Sequence, residues 1–120
     1  MMIKRIALLA ASVALASPSS AHAPEGEAFG KAARFYGYLV AMCEDAMRDS
    51  HHYEWREHRD FLIEGIGALT RRPAIGYQQY TKYKRDMEYL GQAADDPRQC
   101  SIALDGAKVD FISSAADLAD

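Results

Sequence analysis

No CxxC or CxxCH motif occurs in the chain, and there is no Gly-rich phosphate loop, no GxSxG and no HExxH. The first absence argues against a dithiol redox centre, and the second rules out covalent haem attachment. The others remove the local signatures of nucleotide binding, of a serine nucleophile elbow and of the commonest zinc hydrolases. No stretch alternates apolar and polar residues long enough to make a half-buried strand. Apolar runs fall short of the roughly twenty residues that a retained bilayer-spanning helix needs. Basic charge is also scarce, with 14 Lys and Arg against 17 Asp and Glu. Phosphate binding needs a concentrated basic surface, so nucleic acid is a poor partner for this chain. Neither is there the basic amphipathic helix of a membrane-surface binder. With no catalytic constellation in view, an enzyme is not expected.

What is present begins with an export signal. Lys4 and Arg5 precede a short apolar run, Ile6 to Ala16, and small residues follow it. Ala21-His22-Ala23 fits the small-x-small rule but leaves Pro24 directly after the scissile bond. Cleavage after Ala16 or Ala21 avoids that proline, so residues 1–23 are read as signal peptide with the cut between 16 and 23. No cysteine follows the apolar run, so lipid anchoring is not indicated. The remaining residues, 24–120, suffice for one domain with one core. Losing Lys4 and Arg5 changes the balance from 14 minus 17 to 12 minus 17, a net charge of −5. The expected location is the periplasm or the exterior, with no membrane insertion once the signal is removed.

The mature chain is organised around Glu27 to Arg48, read as a helix ending near Asp49. Ala28, Ala32, Phe35, Leu39, Met42 and Ala46 recur at spacings of four and three and share one face. Phe29, Tyr36, Val40, Cys43 and Met47 form a second apolar line beside it. So wide an apolar face predicts neighbours on more than one side. Gly30, Ala33, Gly37 and Ala41 make a row with almost no side chain, where another helix could approach closely.

Three further helices are predicted. The second, about His51 to Thr70, is capped by Asp49-Ser50 and turns Trp55, Leu62, Ile66 and Leu69 inward, with Arg59 on the same row. Arg71-Arg72-Pro73 ends it. The third runs from Pro73 to about Ala94 with Gly76, Tyr80, Tyr83, Met87, Leu90 and Ala94 inward. Asp96, Pro97 and Gln99 then supply a cap, a first-turn proline and a capping-box partner for a fourth helix. Its seam is Cys100, Leu104, Ala107, Phe111, Ser114 and Leu118. The expected fold is all-α, a small up-down-up-down four-helix bundle.

Cys43 and Cys100 are the only cysteines. In an oxidising compartment such a pair is expected to form a disulfide; a redox pair or metal ligation are the competing readings. Alternating helix directions bring the end of the first helix and the start of the fourth to one end of the bundle. Helix lengths, turns and cysteine positions therefore agree.

Candidate chemistry is sparse. His51, Glu54 and His58 fall close together on a helix of ordinary pitch, and two imidazoles with a carboxylate could hold Zn or Cu. Trp55 crowds that face, and the same histidines could instead sense pH. Non-covalent haem held by Met and His would leave little local trace. The third helix is rich in tyrosine and basic residues. Tyr77 and Tyr89 fall off its inward row, and Arg71, Arg72, Lys82, Lys84 and Arg85 contrast with Asp95, Asp96, Asp105, Asp110, Asp117 and Asp120 in the last quarter. Such residues offer apolar area with a polar handle and can steer an acidic partner. Alternatively, the third and fourth helices neutralise each other as neighbours. The expected function is binding another periplasmic or secreted protein through Tyr77, Tyr89, Arg71, Arg72, Lys82 and Arg85, as inhibitors, immunity factors and stress chaperones do. Metal binding is the alternative.

Overall fold

The computed structural model describes residues 18–119, which form four helices and no strand. These are α1 (Pro18–Met47), α2 (His52–Thr70), α3 (Pro73–Leu90) and α4 (Pro97–Ala119). The Lys4–Ala16 stretch of the expected signal lies outside the described residues. Within the described residues α1 is already helical from Pro18, so it extends on the amino-terminal side of the expected Glu27. No described helix is long and apolar enough to cross a membrane.

Both cysteines are buried and joined, Cys43 near the end of α1 to Cys100 near the start of α4, with Cα atoms 5.9 Å apart. Farther along the same pair of helices, Phe111 of α4 packs against Tyr36 and Phe29 of α1. As α4 advances its contacts retreat along α1, so the two run in opposite directions. The second apolar line of α1 forms the centre of the core. Tyr36, Val40, Cys43 and Met47 are fully buried, together with Ala33. The first line lies at the margin, with Leu39, Met42 and Ala46 half-buried and Phe35 57% exposed.

Packing at the small-residue row explains this ranking. A Cβ added at Gly37 would lie 2.1 Å from the Tyr83 ring, so α3 seats directly on that glycine. The approach of α3 to α2 is equally tight. A Cβ at Gly76 would lie 2.0 Å from the Ile63 carbonyl oxygen. Trp55 fixes α2 to α1 by donating its indole N–H to the Val40 carbonyl at 2.7 Å. α1 and α2 each touch all the other helices, whereas α3 and α4 do not meet. The alternative reading, in which α3 and α4 neutralise each other as neighbours, is therefore corrected: α1 and α2 hold them apart.

Two further helix ends differ from the sequence reading. α3 stops at Leu90, not Ala94. Gly91 adopts φ 67°, and Gly91 and Gln92 return their N–H groups to Glu88 and Met87 in the usual glycine stop. Leu90 is consequently exposed, while Ala94 docks on α1 by donating its N–H to Met42 O. At α2 the cap position belongs to His51, and neither Asp49 nor Ser50 caps the helix by a side chain. At α4 the expected cap is present, as Asp96 Oδ1 accepts from the N–H groups of Arg98 and Gln99.

Candidate functional site

Two regions carry the candidate residues. One is the outer face of α3 with the turn before it. Tyr77 and Tyr89 are exposed, at 64% and 89%, as are Arg71, Arg72, Lys82 and Arg85. Lys82, Arg85 and Tyr89 follow one another at spacings of three and four and line one stripe of the helix. Lys84 differs from these, since it is half-buried and pairs with Glu44 of α1 at 3.4 Å. Among the described residues no ion pair engages Arg71, Arg72, Lys82 or Arg85. Arg71 itself ends α2 in the left-handed region, φ 59°, and both arginines of the turn are exposed.

The other region is built on His58. This imidazole is 5% exposed, and each ring nitrogen has a partner on a different helix. Tyr36 of α1 meets Nδ1 at 2.6 Å, and Asp105 of α4 stands 3.3 Å from Nε2. Glu54, one turn before His58 on α2, completes a group whose donor atoms lie within 4.8 Å of one another. Ser101 of α4 donates its hydroxyl to Glu54 Oε2 and holds that carboxylate in place.

Burial pushes the His58 pKa below the ordinary imidazole value, although Asp105 pulls the other way. Burial prevails because the Asp105 side chain is 70% exposed and its field is screened by water. Burial also drives the Tyr36 hydroxyl well above the usual phenol range, and the charge of Asp105 adds to the effect. A neutral His58 can accept from the Tyr36 hydroxyl at Nδ1 while Nε2 lies on the side of Asp105, 3.3 Å from its carboxylate.

The grouping differs from the one read in the sequence. Glu54 and His58 come together as expected, but His51 does not join them. His51 sits at the cap with φ −133°, outside the helical pitch on which the shared face was reckoned, and its Nδ1 is engaged by Ser50 Oγ at 2.7 Å. Asp105 takes the third position, and Tyr36 stands behind the ring. Neither had a local signal, because both approach from other helices.

No protein-family model, curated protein or solved structure matches this chain.

Proposed function

We propose that this is an exported, up-down-up-down helical bundle that acts by binding another periplasmic or secreted protein. The contact surface is the outer face of α3 and the Arg71-Arg72 turn, and the partner presents an acidic surface to it. The observation that carries this reading is the separation of α3 from the acidic α4. Four exposed basic side chains and two exposed tyrosines lie on α3 and the turn before it, without the neutralisation that an adjacent α4 would give. Tyrosine and arginine at such a surface supply buried area on binding, and the uncompensated charge steers the encounter. Export is supported by the amino-terminal pattern of Lys4, Arg5 and the apolar run. The buried disulfide suits an oxidising compartment.

The test is capture of partners from periplasmic extract by wild type and by a Tyr77→Ala, Arg85→Ala variant. A specific protein retained by wild type and lost by the variant supports the reading, provided that added salt also weakens capture. A parallel Ile102→Ser, Val109→Ser variant probes the exposed apolar row on α4. Capture unchanged by the α3 substitutions but lost with those on α4 overturns the assignment.

A further inference from the structure

We infer that Glu54, His58 and Asp105 form a three-ligand site for a divalent transition ion of the Zn2+ class, spanning α2 and α4. The site is separate from the α3 surface and does not rest on the partner-binding reading.

The argument starts from the ring of His58. A metal-ligating histidine needs one nitrogen aimed at the ion and the other held by a hydrogen-bonding group that fixes ring orientation and tautomer. His58 has that arrangement. The residue is only 5% exposed, Tyr36 engages Nδ1, Nε2 stands 3.3 Å from Asp105 Oδ1, and a Glu54 oxygen completes the group. The hydroxyl of Tyr36 can donate to Nδ1 or accept from it, so it serves either tautomer. Ion binding moves the ring proton from Nε2 to Nδ1, and Tyr36 then accepts it as a hydrogen bond.

The spacing of the donors is the second strand of the argument. His58 Nε2 and Asp105 Oδ1 lie 3.3 Å apart, long for a nitrogen–oxygen hydrogen bond. Tetrahedral Zn2+ with bonds of about 2.0 Å sets neighbouring donors about 3.3 Å apart, the same separation. The third donor needs only a side-chain adjustment, since all three lie within 4.8 Å. Ser101 donates a single hydrogen bond to Glu54 Oε2, which leaves the carboxylate with lone pairs to offer an ion. Two carboxylates balance the charge of the ion, and one imidazole favours Zn2+ or Cu2+ over Ca2+ and Mg2+. Exposure of Asp105 gives the ion a way in and leaves the fourth position to water. The nearby cation, Lys108, is held 4.6 Å from the centroid of the Phe61 ring. Coordination would tie α2 to α4 where their direct contact is the lightest among the touching helices.

The experiment is calorimetric titration of Zn2+ into the oxidised chain, prepared without an affinity tag and stripped of metal, together with thermal melts with and without Zn2+. One equivalent is expected to bind and to raise the melting temperature, while Ca2+ and Mg2+ give no saturable heat. Asp105→Asn, at an exposed position where the circular dichroism spectrum is expected to stay unchanged, is expected to weaken Zn2+ binding about tenfold or more. It should also abolish the thermal shift. His51→Ala is expected to bind as wild type does. Absence of saturable Zn2+ binding overturns the inference, as does an Asp105→Asn variant that binds normally. Loss of binding in His51→Ala moves the ion to the first turn of α2 and overturns it equally.

Discussion

Tyr36 and His58 are joined inside the bundle by a hydrogen bond of 2.6 Å between the tyrosine hydroxyl and Nδ1, with their rings edge to face. The pair links α1 to α2 at a point where both side chains are buried. Removing one partner strands the other in a dry setting, which costs more than an average hydrogen bond contributes. Tyr36→Phe is therefore expected to lower unfolding stability by about 1–3 kcal/mol, read from urea denaturation. Adding His58→Leu to that variant should cost less than the sum of the two single changes, since no polar atom is then left unpaired. A purely additive double variant would show that the bond contributes nothing specific.

The same burial makes stability depend on pH. His58 titrates below its ordinary value in the folded chain, so at mildly acid pH the unfolded chain binds the extra proton first. The contribution of neutral His58 is complete above the unfolded imidazole value of about 6.5 and is lost as pH falls from there through the folded value. Asp105 and Glu54 soften the loss, and Lys108 deepens it. The tyrosines give the opposite limb. Burial raises Tyr36 and Tyr83 and pushes Tyr80 up to about 12. Their contribution is present below about pH 10 and disappears as pH rises beyond it. Urea midpoints should thus fall from about pH 7.5 to about pH 5.5 and fall again above about pH 10. A wild-type midpoint that does not move over the acid interval would contradict this account of His58.

Legibility in the sequence followed the range of the interaction. The Asp96-Pro97 start of α4 was readable because a cap is made by residues two and three positions apart. The Cys43–Cys100 link was readable because both compartment chemistry and helix direction bear on it. On α1, both apolar rows satisfied the helical period, and the period cannot say which of them meets three neighbours. The seat of Tyr83 on Gly37 decides that, and it is a tertiary fact. The end of α3 differs from the sequence reading because Leu90 and Ala94 continue the apolar spacing past Gly91, whose left-handed backbone stops the helix regardless. Asp105 escaped notice for a similar reason. It lies 47 positions from His58 and on no inward row, so only the packing of α4 beside α2 brings the two together.

Reduction of the disulfide tests how far the core can hold α1 to α4 unaided. The cysteines lie 57 positions apart in the sequence, and closing a loop of that length in the unfolded chain corresponds to about 4 kcal/mol. A Cys43→Ala, Cys100→Ala variant is expected to lose about that much, a large share of the stability of a domain this size. Urea denaturation of the oxidised and the substituted chain measures the difference. A loss below about 1 kcal/mol would mean that the unfolded chain already keeps those two segments together.

Glycines on α1 should separate by what surrounds them. Gly30 has no atom within 4 Å of a new Cβ, so Gly30→Ala is expected to stabilise by about 0.5–1 kcal/mol through helix propensity. Gly37→Ala drives a methyl into the Tyr83 ring and is expected to destabilise by about 1–3 kcal/mol. Equal effects from the two substitutions, in thermal melts, would refute the close seating of α3 on α1.

Arg71 allows fold and binding to be pulled in opposite directions. Its backbone occupies the left-handed region, φ 59°, where a side chain costs about 1 kcal/mol and glycine costs little. Arg71→Gly should therefore stabilise the fold by about 1 kcal/mol, raising the melting temperature by about 4–8 °C for a domain this size. The same change deletes one of the exposed cations proposed to meet an acidic partner. Partner capture should fall, and its dependence on salt should become shallower, while the melting temperature rises. A change that merely unfolded the chain could not give that combination. An Arg71→Gly chain that is more stable and captures the partner as well as wild type would remove the turn from the contact surface.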